Sequence, residues 1–195
     1  MGFFYTFVFQ SKANKMTSKE LYQYVLATDV HVKSRVDTLT LIGTGDEVLK
    51  FLMKYSFEVK DPIYVNACIL LQDVLDKDIT RIKPYLQNYL DRVGETTNES
   101  SKRLLSRICW LVAKSKKLTL TTGQERQLVD VSMLWLSNDS KVATEAFAMD
   151  ILMLLAKKYK EDVQLIAEVI EVNYASKSAA YQNKAKKFMC FCANL

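Results

Sequence analysis

The stretch DSKVATEAFAMDILMLLAKKYK, residues 139–160, decides the fold of this chain. From Ala146 to Ala156 every residue is apolar except Asp150, and a run of that length is too short to cross a membrane as a helix. A helix that is apolar on nearly all sides needs neighbours on nearly all sides. We therefore expect this helix to lie between other helices, and the rest of the sequence indicates where they come from.

Similar stretches recur along the chain at a nearly constant interval. They begin at residues 61 (DPIYVNACILLQDVL), 100 (SSKRLLSRICWLVAK), 139 and 177 (KSAAYQNKAKKFMCF), and a more degenerate copy begins at residue 29. Equivalent anchor positions in the four clearer copies are 39, 38 and 39 residues apart, at Val65, Leu104, Val142 and Tyr181. A period of this length built from two helices is typical of α-solenoids.

Amphipathic segments alternate with these stretches and supply the partner helices. Helical periodicity predicts them at residues 17–28, 46–58, 78–93, 124–137 and 161–174. We call the recurring stretches the second helices, because each follows its partner helix in the chain. Start signals for the two kinds of helix lie at Thr17 or Ser18, Asp46, Asp78 and Asp139. Pro62 fits just inside a helix start, whereas Pro84 predicts a helix that is kinked or begins late.

The second-helix pattern D-x-x-V-x-x-x-A followed by an apolar run resembles that of HEAT and armadillo-type repeats. It is clearest at Asp139, Val142 and Ala146, although the Arg that usually follows the Val is absent. The resemblance covers about residues 17–194. It implies an all-α superhelix, a HEAT-like solenoid of about five antiparallel helix pairs, as one domain over residues 16–195. It implies little about function, since such proteins are mostly protein-binding scaffolds and some bind nucleic acid.

Residues 1–15 (MGFFYTFVFQSKANK) precede the first helix signal, which begins at Met16. Their apolar part is shorter than most signal-peptide cores, and it lacks a basic start and a small-x-small cleavage site. We expect residues 1–15 to be an appended segment or an upstream false start.

The composition limits the classes of function. Only 5 Gly and 2 Pro in 195 residues favour helices over a turn-rich β fold. Four cysteines lie in apolar helical stretches without zinc or CxxC spacing, which predicts reduced core residues and a cytoplasmic location: Cys68, Cys109, Cys190 and Cys192. The chain has a single histidine, His31, which is too few to indicate a His-based metal site, and no Cys, Ser or Asp pattern beside it indicates a catalytic triad. We predict no cofactor, no metal and no membrane span.

Positive charge is concentrated in the second half of the chain. Residues 98–195 contain 15 Lys and Arg against 10 Asp and Glu, whereas residues 1–97 contain 12 of each. On the helix that begins near residue 100, spacings of 4, 3 and 4 place one stripe on a single side: Arg103, Arg107, Trp110 and Lys114. An Arg–Trp cation–π contact is expected there, and such a stripe suits nucleic acid or an acidic peptide. The alternative is a core Trp beside ordinary surface or ion-paired arginines.

Stacked repeats bring equivalent positions of neighbouring helices together, so the stripe is expected to continue into a groove at Lys141, Lys184 and Lys187. Asp150 is the one charge in its apolar run. It is either a catalytic or recognition acid in that groove, or an edge residue or ion-pair partner, because an isolated buried carboxylate is costly.

We therefore predict a non-enzymatic helical-repeat scaffold that binds a protein partner. The alternative is a nucleic-acid-binding HEAT module that resembles the DNA alkylation-repair glycosylases of this architecture; none of their motifs aligns, so no catalytic residue is carried over. An enzyme that uses Asp150 is a third reading. No pattern in the sequence indicates an oligomeric state.

Overall fold

The computed structural model describes residues 16–138 and 140–195, and all regular elements in those ranges are helical. The predicted all-α class is therefore confirmed for the described chain. The ten α-helices are α1 (Ser18–Ala27), α2 (Val32–Ile42), α3 (Asp46–Tyr55), α4 (Tyr64–Lys77), α5 (Leu86–Val93), α6 (Glu99–Lys114), α7 (Thr122–Ser137), α8 (Val142–Leu155), α9 (Lys160–Asn173) and α10 (Ala179–Cys192). The predicted segment 1–15 and the helix-opening role of Asp139 lie outside the described residues.

Several helix starts follow their sequence signals. At α1 the Thr17 hydroxyl accepts a hydrogen bond from the Glu20 backbone N–H at 3.3 Å, and the Glu20 carboxylate accepts one from the Thr17 N–H at 2.8 Å. This reciprocal capping box satisfies two backbone donors that the helix leaves unpaired. Pro84 lies in a 3₁₀ segment, Ile79–Tyr85, so the regular helix α5 begins only at Leu86, and the predicted late start is confirmed.

The prediction for Pro62 is wrong, because Pro62 lies in the turn before α4 and the helix begins at Tyr64. The turn is held by Asp61, whose Oδ1 accepts hydrogen bonds from the Ile63 N–H and from the Tyr22 hydroxyl, both at 3.0 Å. Asp61 thereby satisfies a backbone donor ahead of the helix and ties α1 to the start of α4.

The helices pack as consecutive pairs: α1 with α2, α3 with α4, α5 with α6, α7 with α8, and α9 with α10. Contacts also run between pairs, since α2, α4, α6, α8 and α10 each contact the next in that series, as do α5, α7 and α9. Some side-chain hydrogen bonds between pairs join residues about one sequence period apart. Gln87 bonds Gln127, 40 residues on, and Arg126 bonds Asp162, 36 residues on.

Helix α8 contacts α6, α7 and α10, which accounts for most of its apolar character. Ala148, Met149, Ile151 and Leu152 are completely buried, and a buried large aliphatic side chain contributes about 1.5–3 kcal/mol. The expectation of cover on nearly all sides is only partly met, however, because Leu154 is 48% exposed. Burial therefore explains one side of the apolar run and leaves the other side without a packing reason.

A charged pair with a buried carboxylate joins α8 to the segment that leads into α10. Glu145 is 1% exposed, and the Lys177 ammonium lies 2.8 Å from its carboxylate and 5.0 Å from the Tyr181 ring centroid. Because a carboxylate taken out of water is costly unless a cation and hydrogen bonds replace the water, the pair favours one position of α10 against α8.

The described part of the chain contains no helix that combines the length and the apolar surface needed to cross a bilayer. Three of the cysteines, Cys68, Cys109 and Cys192, are free and buried as predicted. Burial raises the pKa of the Cys68 thiol to about 11 and that of the Cys109 thiol to about 12. Cys190 is exposed, contrary to the prediction, because the buried side of α10 includes Cys192 and a residue two positions away faces elsewhere.

We expect Lys177→Met to lower the free energy of unfolding by roughly 3 kcal/mol, because Glu145 stays buried without this cation. The double variant Glu145→Gln/Lys177→Met should recover part of that loss, since it removes the buried carboxylate as well. Urea unfolding followed by circular dichroism measures both. A loss below about 0.5 kcal/mol in the single variant, the range of an ordinary surface substitution, would contradict a structural role for the pair.

We expect one thiol per folded chain to react quickly with a maleimide at mildly alkaline pH, because Cys190 is exposed while the other three are buried. Cys190→Ser should remove the fast reaction, and unfolding in guanidinium should release the remaining thiols. Mass spectrometry of the labelled chain counts them. Several thiols that react at comparable rates in the folded protein would show that the packing around α4, α6 and α10 is looser than described.

Candidate functional site

The outward sides of α6, α8 and α10 adjoin one another, because these helices contact in series. Together they form what we call the second-helix face, whose members are exposed or half-buried. On α6 these are Arg103, Arg107, Trp110 and Lys114; on α8, Ala143, Ala146, Phe147, Asp150, Met153 and Leu154; on α10, Ala180, Asn183, Lys184, Lys187 and Phe191. The predicted stripe on α6 therefore lies on one side of its helix, and that side is accessible.

Trp110 is half-buried where α6 meets α8. Its ring centroid lies 5.8 Å from that of Phe147 with an interplanar angle of 41°, and the Lys114 ammonium lies 4.5 Å from the Trp110 centroid. A cation–π contact is thus present, but Lys114 supplies the cation in place of the predicted Arg. Lys114 follows Trp110 by four residues, which is one helical turn, so the two side chains are neighbours on the helix surface.

A depression of about 240 Å³ opens beside this contact, and it is lined by Trp110, Lys114, Asp150, Met153 and Leu154. Its walls combine an aromatic ring and two aliphatic side chains with one cation and one anion. The volume is smaller than the roughly 300–1,000 Å³ of clefts that hold whole small molecules, so it suits a single inserted side chain.

Two cations of the predicted groove are neutralised by carboxylates from adjacent second helices. The Arg107 Nε donates to both oxygens of Asp76 on α4, at 3.0 and 3.2 Å. Lys184 on α10 forms an ion pair with Asp150 on α8. Asp150 therefore has the ion-pair partner that its position in an apolar run requires, and the face carries paired charges where the sequence suggested a continuous positive groove.

The other cations of the face have no ion-pair partner among the described residues. Within residues 16–138 and 140–195, Arg103, Lys114 and Lys187 are exposed and have no carboxylate partner, and Lys114 lies over the Trp110 ring. Lys141 is exposed too, but it occupies the N-cap of α8, where its backbone N–H donates to Glu99 at 3.1 Å. That position is nine residues before Asp150, roughly 13 Å along the helix, so Lys141 lies away from the depression that Asp150 lines.

Sequence reasoning did not assign Phe147, Met153 or Leu154 to this face, and it did not identify Asp76 on α4 as the partner of Arg107. Asp76 precedes Arg107 by 31 residues, seven or eight fewer than the period of 38 or 39, so a search for opposite charges one period apart would not have found it. Phe147 and Leu154 were assigned to the core because they belong to the apolar run, and only the three-dimensional packing separates them from their buried neighbours.

The part of the chain that the structure describes contains no group of three or more His, Cys, Asp or Glu side chains placed to hold a metal ion. His31 is exposed at the N-cap of α2, as a solvated helix-start residue would be.

The ion pairs predict how the face responds to a polyanion. We expect Asp76→Asn/Asp150→Asn to elute from immobilised heparin at higher salt than the wild type, because Arg107 and Lys184 lose their competing carboxylates. A matched control, Glu168→Gln/Glu171→Gln, makes the same change in net charge at exposed positions of α9. Equal shifts for the two double variants would show that overall charge, and not release of the paired cations, governs retention.

No family model matches this chain, and neither a curated protein nor a solved structure matches it.

Proposed function

We propose that this chain is a non-enzymatic scaffold of the HEAT-like solenoid kind, which binds a protein partner on its second-helix face. The solenoid part of the proposal is supported by contacts that run in series from α2 to α10. It is also supported by hydrogen bonds between pairs that join residues one sequence period apart, such as Gln87 and Gln127. Stacked helix pairs that contact only their neighbours are the defining feature of that architecture.

The observation that carries the binding function is the uncovered apolar side of α8. Phe147 and Met153 are half-buried and Leu154 is 48% exposed, all on one side of a helix whose other sides are packed. A contiguous apolar surface rimmed by polar groups is typical of protein–protein contact, and aromatic side chains near its centre are frequent binding hot spots. Trp110, in ring contact with Phe147, extends this surface onto α6.

The second candidate function is nucleic-acid binding. Arg103 and Lys187 are free of carboxylate partners within the described chain, and Trp110 offers a ring for base stacking. The ion pairs of Arg107 with Asp76 and of Lys184 with Asp150 weigh against it, because they remove positive charge where a backbone-tracking groove requires it.

A cytoplasmic location is part of the proposal. Cys68, Cys109, Cys190 and Cys192 carry no disulfide, and unpaired cysteines suit a reducing compartment.

The test is photo-crosslinking in cells that make the protein. Benzoylphenylalanine would replace Phe147 in one variant and Leu165 in the other. Leu165 is a matched control, because it is a 56% exposed apolar residue on α9, outside the second-helix face. We expect a discrete protein adduct at position 147 and none at position 165. Absence of an adduct at 147, or the same adducts at both positions, would count against the proposed scaffold.

The nucleic-acid alternative is measured separately, by fluorescence anisotropy with labelled single- and double-stranded DNA and RNA at low and physiological salt. The wild type is compared with Arg103→Ala/Arg107→Ala. We expect no binding that survives at physiological salt. Tight binding that weakens steeply with salt and disappears in the double variant would replace the protein-scaffold proposal with the nucleic-acid one.

A further inference from the structure

The apolar side of α8 lies between two helices that both present cations. Arg103 and Lys114 are exposed on α6, and Lys187 is exposed on α10. The α8 side itself contributes one charge, Asp150, which is already paired with Lys184. An occupant of α8 therefore meets apolar side chains beneath it and unneutralised positive charge along both edges.

Helix electrostatics alone does not account for these cations. Lys114 ends α6, where the helix dipole favours a positive charge. Arg103, by contrast, lies in the first half of α6, and Lys187 lies in the middle of α10. Neither Arg103 nor Lys187 has a carboxylate partner in the described chain. The cations next to them on their helices, Arg107 and Lys184, do form ion pairs. The cations left over are thus available for carboxylates of another molecule.

We propose that the second-helix face receives an acidic amphipathic segment of a partner protein. The inference rests on the proposed scaffold function and adds the chemistry of the occupant. Its apolar side chains pack on Phe147 and Leu154, and its carboxylates meet Arg103 on one edge and Lys187 on the other. Such complementarity fixes the orientation of the segment and speeds its association, while the apolar contacts supply most of the affinity.

The depression beside Trp110 gives the segment an anchor point. Met153 and Leu154 form aliphatic walls, Trp110 is aromatic, and the lining also includes Lys114 and Asp150, which is paired with Lys184. One Leu or Phe side chain inserted there would contact these three apolar side chains, with a flanking carboxylate within reach of the Lys114 ammonium. An amphipathic helix that lies in a groove uses apolar anchors at spacings of three and four residues, and it can therefore fill the depression and cover Phe147 together.

The experiment uses three fluorescein-labelled synthetic peptides of equal length: an amphipathic peptide with a Leu stripe flanked by Glu, the same peptide with Lys in place of every Glu, and a scrambled Glu peptide. Fluorescence anisotropy measures their binding to the full chain. We expect the Glu amphipathic peptide to bind about tenfold or more tightly than either of the others, since only it matches both the apolar surface and the rim.

Two variants locate the site. We expect Leu154→Asp to weaken binding of the Glu peptide about tenfold by placing a carboxylate in the apolar centre, and Arg103→Glu/Lys187→Glu to weaken it by a similar factor through charge repulsion. The altered side chains are exposed, so the variants should fold, and circular dichroism checks this. The matched control is Lys19→Glu/Lys50→Glu, which makes the same charge change at exposed positions of α1 and α3.

Equal affinity for the Glu and Lys peptides, or Glu-peptide binding that is unchanged in the two face variants, would overturn the acidic occupant. A weakening of the same size in the Lys19→Glu/Lys50→Glu control would overturn it too. These failures are distinguishable from failure of the scaffold proposal, because the benzoylphenylalanine adduct at position 147 reports a partner whatever its charge.

Discussion

The structure depends on the packing of second helices against one another. Helix α8 contacts α6 and α10 as well as its own partner α7, and its fully buried residues, such as Met149 and Leu152, lose their cover if any neighbour is removed. A helix pair of this kind cannot bury its apolar surface alone, so the stability of each pair includes its interface with the next. The buried residues of the apolar run from Ala146 to Ala156 follow from that constraint.

Polar contacts between pairs differ in what they contribute. Arg107 with Asp76 and Lys184 with Asp150 are partly exposed pairs, and pairs of that kind contribute about 1 kcal/mol or less. The Glu145 carboxylate is buried with Lys177 against it, so removing Lys177 takes one cation away from a charge in the interior. The exposed pairs therefore act mainly on the electrostatics of the face, whereas the buried pair acts on the position of α10.

The same packing that covers most of α8 leaves Phe147 and Leu154 accessible at the centre of the second-helix face. The paired carboxylates interrupt the positive charge of this face. The remaining cations, Arg103 on α6 and Lys187 on α10, lie at the edges of the face. A mixed surface of this kind favours a folded or folding protein segment over a nucleic-acid backbone, because affinity for a phosphate chain rises with the number of contiguous cations.

The sequence by itself determined the helical class, the pairing interval and most helix boundaries, because periodicity, caps such as Thr17 and the late start after Pro84 act within a few residues. It also placed Arg103, Arg107, Trp110 and Lys114 on one side of α6. Only the tertiary structure decided which cations are neutralised, since Asp76 and Arg107 meet across two helices. It likewise decided which apolar residues of α8 stay exposed, because burial depends on the positions of the neighbouring helices. The residue type alone does not distinguish an apolar side chain in a core from one on a binding face.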